Sequence, residues 1–188
     1  MKNILVILGH PSSNSFCGAL ADTYAKGAQE AGHSVKVMKL GEMEFDPVIR
    51  DRRQLLEPCL TEAQENISWA SHIVFVYPNW WGLMPALMKG FIDRTFLEGF
   101  AADFPMNGMP VQLLKGRTAH LMVTMDTPLW FYRFFQKMPG HTAMRKTILE
   151  FCGIKVKKIT GFAIMKTSTP DKRKKWLADA ERAGLTAQ

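Results

Sequence analysis

Cysteine is scarce in this sequence and spaced unhelpfully for chemistry. Its three copies, Cys17, Cys59 and Cys152, are odd in number, far apart and form no C-x-x-C pair. That excludes a disulfide framework and a thioredoxin-like redox motif, and predicts a reducing, cytoplasmic setting. The five histidines, His10, His33, His72, His120 and His141, never recur at i, i+4 and never join a cysteine cluster, so no metal site is expected. No uninterrupted apolar run approaches the roughly 18 residues of a membrane span, and no small-residue cleavage site follows the opening apolar run, so no signal peptide is predicted. Two glycine signatures are also missing. Neither G-x-G-x-x-G nor G-x-x-x-x-G-K-S/T occurs, which excludes the usual dinucleotide fingerprint and the P-loop.

Acidic residues run short only at one end. Residues 1–144 carry 13 basic and 13 acidic side chains, whereas residues 145–188 carry 11 basic and 4 acidic, so the formal net charge of +7 lies wholly in the C-terminal part. The cluster Lys172, Arg173, Lys174 and Lys175 is suited to attract a nucleotide phosphate, nucleic acid or an anionic membrane surface. Its other reading is a solvated helix face beside a turn.

What is present is an alternation. Five short apolar runs, at 4–8, 35–40, 73–77, 119–124 and 159–165, are separated by stretches of helical period, the pattern of an α/β protein with a parallel sheet between helices. The first, third and fourth runs are nearly continuous in Ile, Leu, Val, Phe and Met, as central strands buried on both faces should be. Between the first two lies a helix over 16–31, with Ser15 as its N-cap and Gly32 just past its end. Thr61-x-x-Gln64 reads as the capping box of a second helix reaching about residue 70. A third helix has Pro85 in its first turn, a fourth helical region covers 131–135 and 142–151 around Pro139-Gly140, and the last opens at Thr169-Pro170 and ends near Gly184. The stretches 41–60 and 97–114 look irregular, and long excursions of that kind are usually functional or interfacial. With no repeat and no linker, residues 1–188 are predicted to form a single domain.

In a doubly wound sheet of order 2-1-3-4-5, ligands sit outside the carboxyl ends of the strands where the order reverses. That rule selects three loops. The first, Gly9-His-Pro-Ser-Ser-Asn-Ser-Phe16, is rich in hydroxyl and amide groups and leads into a helix whose free N–H groups and dipole favour an anion. It predicts a phosphate seat using Ser12, Asn14 and Ser15, with His10 bonding or shielding the phosphate; the alternative is plain helix capping. The second, Pro78-Asn79-Trp80-Trp81-Gly82, sets two indoles side by side at a strand end where alternation buries only one. Either a planar ligand meets the other indole, with the amides of Trp80, Trp81 and Gly82 bonding its polar edge, or both tryptophans belong to the core. The third loop runs from Thr124 through Asp126 to Trp130.

These residues carry a resemblance. Gly9-His-Pro with Ser15-Phe16, then Pro78-Asn-Trp-Trp-Gly-Leu-Met-Pro-Ala-Leu-Met-Lys-Gly-Phe-Ile-Asp-Arg-Thr-Phe96, then Phe151-Cys-Gly-Ile154, look like the NAD(P)H:quinone oxidoreductase family, in the right order over nearly the whole chain. The resemblance implies a flavodoxin-like three-layer fold with a five-stranded parallel sheet, FMN or FAD as cofactor, NAD(P)H as co-substrate, and a homodimer. By position it places His10, Ser15, Phe16 and Cys17 at the flavin phosphate region, and Pro78, Asn79, Trp80 and Trp81 at the isoalloxazine ring. Together with Ser12, Asn14, Gly82, Thr124 and Asp126 these are the expected cofactor-binding residues. Many members continue after the fourth strand with Thr-Thr-Gly-Gly, then a Tyr and a His that steady the reduced flavin. Here Thr124-Met-Asp-Thr-Pro-Leu-Trp130 lacks both glycines, and Tyr132 and His141 are the residues available as the catalytic pair.

The activity so implied is hydride transfer from NAD(P)H through the flavin to a quinone or similar small electron acceptor. One pocket serves both substrates in turn by a ping-pong mechanism. The alternative is a regulatory or binding subunit of a membrane transport system, docking through the basic tail at a membrane or membrane protein while keeping a flavin site. No nucleic-acid partner is expected. An acidic electron carrier of the flavodoxin kind is disfavoured by a pI of 9.4. The aromatic stretch Trp130-Phe-Tyr-Arg-Phe-Phe135 reads either as core helix or as the wall a second subunit packs on; its rings exceed what one helix face buries, which favours a dimer interface near the site.

Overall fold

A computed structural model describes residues 1–51, 54–106 and 108–187, so positions 52 and 53 of the first irregular stretch, 107 of the second and 188 of the predicted domain lie outside the described residues. The elements are β1 (Asn3–Leu8), α1 (Phe16–Glu30), β2 (Ser34–Lys39), α2 (Pro58–Trp69), β3 (His72–Pro78), α3 (Ala86–Thr95), β4 (Ala102–Asp103), β5 (Val111–Gln112), β6 (Thr118–Thr124), α4 (Leu129–Phe134), α5 (Pro139–Thr142), a π-helix (Ala143–Leu149), β7 (Lys155–Phe162) and α6 (Pro170–Thr186).

Five strands pair in parallel in the order β2-β1-β3-β6-β7, while β4 and β5 form a separate antiparallel pair. Counted along the main sheet alone, this is the expected 2-1-3-4-5. The centre is as apolar as its sequence implied: β1 from Ile4 on, all of β3, and β6 from Ala119 on are buried. Alternate residues feed two cores. Ile4, Val6 and Leu8 pack with Leu20, Tyr24 and Ala28 of α1 and Ala180 and Ala183 of α6. Leu5, Ile7 and Phe75 pack with Leu60 and Ile67 of α2, Phe91 of α3 and Met144 and Leu149 of the π-helix. A helical layer on each face completes the three-layer sandwich.

Several boundaries differ from expectation for physical reasons. The second helix begins at Pro58, not at a Thr61 capping box: Pro58 occupies the first turn, where its missing N–H costs nothing, and Glu57 is the N-cap residue. Gln64 instead donates from Nε2 to the Thr95 carbonyl at 2.9 Å. Pro85 is the residue before α3 and not within its first turn. The last strand starts four residues early, at Lys155, because an edge strand tolerates exposed lysines at Lys155, Lys157 and Lys158 that mask its apolar period. The last helix passes Gly184 and ends at Thr186. Within 97–114, β4 and β5 pair over only two residues each.

Arg94 and Glu57 together tie down the irregular stretch after β2. Arg94 of α3, nearly fully buried, donates to both carboxylate oxygens of Glu57, Nη2 to Oε2 at 2.6 Å, and to the carbonyls of Asp46 and Leu55. A guanidinium with this many fixed acceptors ties the chain before α2 onto α3.

Candidate functional site

The loop after β1 is built around capping. Ser15 accepts at Oγ from the Gly18 amide at 3.2 Å and donates to the Ser12 carbonyl at 2.8 Å, so its hydroxyl is engaged in starting α1. The loop lies directly on that helix, since a Cβ added at Gly18 would sit 2.0 Å from the Ser13 carbonyl oxygen. The Ser13 hydroxyl turns away to Glu42, and the Ser12 amide donates to His10 Nδ1 at 2.9 Å. What the helix end leaves for an anion is the dipole and the first-turn amides of Phe16 and Cys17, which by geometry have no intrahelical acceptor.

The loop after β3 makes a tight reversal. Trp80 and Leu83 exchange backbone hydrogen bonds at 2.9 and 3.0 Å, and Trp81 and Gly82 between them both have positive φ, 52° and 82°. Those are the signs of a type I′ turn, whose first central position ordinarily holds Asn, Asp or Gly. A tryptophan there is a backbone outlier of the kind that gathers at ligand clamps. The expectation that one indole would be buried is not met. Trp80 is 46% exposed and Trp81 fully so at 102%, because the turn lifts both clear of the pleat that ended at Pro78. The Trp80 amide is taken by Leu83, which leaves the amides of Trp81 and Gly82 as the ones the turn does not use.

The loop after β6 closes the arrangement. The Asn79 amide donates to the Thr124 carbonyl at 2.7 Å, Thr124 Oγ1 lies 3.2 Å from Cys17 Sγ, and Asp126 Oδ1 accepts from the Lys166 amide at 2.6 Å. Burial pushes the Cys17 thiol up to about 11, only partly countered by Thr124, so it stays protonated and its sulfur is no nucleophile.

The three loops enclose one cleft in two parts. A cavity of about 220 Å³ brings together His10, Ser15, Phe16, Cys17, Pro78, Asn79, Trp80, Thr124 and Asp126. A wider one of about 830 Å³ adds Trp81 and Gly82 and shares Asn79, Trp80 and Asp126 with the first. His10 and Trp80 meet edge to face, with ring centroids 5.7 Å apart, forming one wall. Ser12 and Asn14 line neither part.

The family model described as flavodoxin-like fold matches residues 2–185. The chain belongs to the flavodoxin-like fold family. It is 31% identical over 161 residues to a Haemophilus influenzae protein named as an uncharacterized NAD(P)H oxidoreductase, spanning 81% of this chain and 79% of that one. It is 26% identical over 187 residues to the human ribosyldihydronicotinamide dehydrogenase [quinone], spanning 82% and 78%. The crystal structure of Smu.1420 from Streptococcus mutans superposes with a TM-score of 0.82 at 28% identity, covering 97% of this chain and 98% of that one. The resemblance to NAD(P)H:quinone oxidoreductases carried by Pro78 to Phe96 is borne out by these relatives.

Within this flavodoxin-like chain, Tyr132 and His141 stand apart from the cleft. They line a different cavity, of about 400 Å³, with none of the cleft residues. The Tyr132 hydroxyl donates to the Gly82 carbonyl at 3.0 Å and accepts from the Gly140 amide at 2.9 Å, and burial raises its pKa. It holds the Trp81-Gly82 turn from behind. His141 packs edge to face on Tyr132, with centroids 5.0 Å apart, and burial lowers its pKa.

Met125, Thr127, Gln136, Pro139 and Met165 also line the flavodoxin-like cleft without having been singled out. For Met165 the signal was available: it follows the fifth strand, and its amide bonds the Met125 carbonyl at 3.1 Å, so the strand-end rule applied to a fourth loop finds it. In the basic cluster, Arg173 is engaged by the fold. Its Nε donates to Ser168 Oγ at 2.7 Å and its guanidinium lies over the Phe16 ring, while Lys172 Nζ lies over the Trp176 ring, 5.0 Å from its centroid. Among the described residues no group of His, Cys, Asp and Glu is placed to hold a metal ion, and no helix is long and apolar enough to cross a membrane.

Proposed function

We propose that this chain is an NAD(P)H-dependent flavoenzyme whose cleft, lined by His10, Pro78, Trp80 and Thr124, would hold a flavin, FMN or FAD, and that the flavin would supply hydride-transfer chemistry between NAD(P)H and a quinone or similar small acceptor. One observation carries the reading: three strand-end loops converge on a cleft that pairs a helix N-terminus with two exposed indoles, one of them held in a strained backbone position. The donor set fits such a cofactor. First-turn amides of α1 at Phe16 and Cys17 suit a phosphate, and the Trp81 and Gly82 amides suit the polar edge of a flat heterocycle.

The chain's own tasks are binding, orientation and exclusion of water. Trp80 and His10 wall the narrower part of the cleft, and Pro78 and Thr124 form its floor at the strand ends. Trp81 stands free to cover a planar ligand. The Trp81 and Gly82 amides stabilise negative charge that develops at the ligand's edge, the role donors aimed at a reacting group perform best when held rigid. Tyr132, expected as a catalytic group, acts on this reading as a positioning residue through the Gly82 carbonyl. A single cleft visited in turn by both substrates accounts for the missing second nucleotide fingerprint and predicts parallel initial-rate lines.

The names of the relatives support the oxidoreductase reading. The absorption spectrum of the purified chain, followed by acid release and chromatography of any yellow cofactor, tests it directly. A colourless protein that also ignores added FMN and FAD would overturn it, and intersecting initial-rate lines would overturn the shared cleft. The homodimer belongs to the same proposal, its interface the exposed rings of α4.

A further inference from the structure

Beside β7 lies a cavity of about 400 Å³ that shares no residue with the cleft. Apolar side chains of Leu129, Met138, Val156 and Ile159 wall it, and Arg133, Arg145, Lys157 and Lys158 stand around it. Its size is that of a small-molecule pocket.

Three built features meet there. His141, only 7% exposed, lines the cavity, and its Nε2, sealed from solvent, has no hydrogen-bond partner among the described residues. Leaving such an atom unmatched costs about 1–3 kcal/mol, and a persistent orphan asks for an explanation. Immediately after it, the chain widens into the π-helix Ala143–Leu149, which carries Arg145; such turns occur mostly at functional sites. On β7 the pairing with β6 skips a residue: Ala119 pairs with Val156 and His120 with Lys158, so Lys157 is the extra residue of a bulge. Bulges re-aim side chains at sheet edges and beside sites.

The charge around this cavity is of one sign. No acidic residue lines it, although Arg145 is bridged to Glu150 at 2.8 Å and is partly neutralised. The geometry points to a second binding site, separate from the cleft, for a small organic carboxylate: an apolar body against Leu129, Val156 and Ile159, and its carboxylate toward the basic rim. Two arginines favour the planar, forked geometry of a carboxylate. The apolar walls disfavour a bare, strongly hydrated phosphate.

Calorimetric titration of the purified chain with benzoate, benzamide and inorganic phosphate, with and without saturating FMN, tests the site. Benzoate should bind saturably at one site whether or not FMN is bound, and move the His141 imidazole nitrogen resonances. Benzamide should bind about tenfold more weakly, as should benzoate to the double variant Arg133→Gln/Lys157→Gln, for loss of a charge-assisted hydrogen bond. Both altered side chains are exposed, so folding is not at stake. The proposal fails if benzoate does not saturate by about 10 mM, if phosphate binds more tightly than benzoate, if the double variant binds benzoate as well as the unaltered chain, or if FMN displaces it.

Discussion

The phenolic hydroxyl of Tyr132 donates to the main-chain carbonyl of Gly82 at 3.0 Å, joining α4 to the turn that carries Trp81. Because the same oxygen accepts from the Gly140 amide at 2.9 Å, one side chain satisfies two backbone groups from separate segments. Removing it leaves both without their partner. Tyr132→Phe is therefore expected to lose about 1–3 kcal/mol of stability in urea denaturation. It should also weaken flavin binding, because the turn is no longer fixed, while the pH profile of turnover keeps its shape. A profile that loses a limb instead would return Tyr132 to proton transfer.

Trp81 is held at φ 52°, where a bulky residue is strained and Asn is tolerated. Trp81→Asn keeps the turn chemistry and removes the indole. The flavin-free protein should be as stable as the unaltered chain or more so, whereas flavin affinity should drop about tenfold for want of a stacking surface. Thermal melts of the flavin-free protein and fluorescence titration separate the two effects. If stability falls and affinity holds, the indole serves the fold and not the ligand.

Arg94 and Glu57 make stability depend on pH. Burial alone would raise the Glu57 carboxyl, but the Asp46 amide and the Arg94 guanidinium outweigh it and hold its pKa below the usual carboxylate value. For a depressed carboxyl the stabilisation is complete above the unfolded pKa, about 4.3 for Glu, and is lost as pH falls through the lower folded value. The gap in urea midpoint between the unaltered chain and Glu57→Gln should be widest near neutrality and close below about pH 4. Arg94→Met, which strands the carboxylate, should cost about 3 kcal/mol, the low end for a broken buried pair because Glu57 retains some contact with water. A gap that does not change with pH would show that the pair does not hold the stretch before α2.

The parts of this architecture legible in the sequence are those where burial acts on every residue of an element. Residues 4–8, 73–77 and 119–124 lie between two helical layers and read as nearly continuous apolar runs, so the central strands were legible from pattern, and the usual doubly wound order then selected the three strand-end loops. Ser15 was legible as a cap because its chemistry is local. Elements whose definition depends on distant partners were not. The lysines of β7 hide an edge strand, and Glu57 marks a helix start only once Arg94 is seen to fix it. The side of the sheet end on which Tyr132 falls depends on where α4 settles, which no local period encodes, so a residue expected beside the ligand lies behind the turn instead.

The same helix makes the last prediction. Tyr132 is the buried residue of α4, while Trp130, Phe134 and Phe135 are 60%, 69% and 68% exposed and Phe131 is 37% exposed. Three of these rings pack on one another: Phe131 stacks on Phe135 at 5.1 Å between centroids, and Trp130 meets both edge-on, while Phe134 lies under the Arg133 guanidinium. A cluster of aromatic rings left to water is unfavourable in a monomer, and a second copy of the chain is the partner that closed symmetry supplies. Light scattering at micromolar concentration should then give a dimer, and Phe134→Ser/Phe135→Ser should give a folded monomer, since neither ring contributes to the buried cores. An unaltered chain that is monomeric at that concentration would rule the interface out. If the double variant dissociates and flavin binding falls with it, the second subunit also helps to complete the cleft; if flavin binding persists, each cleft is complete within one chain.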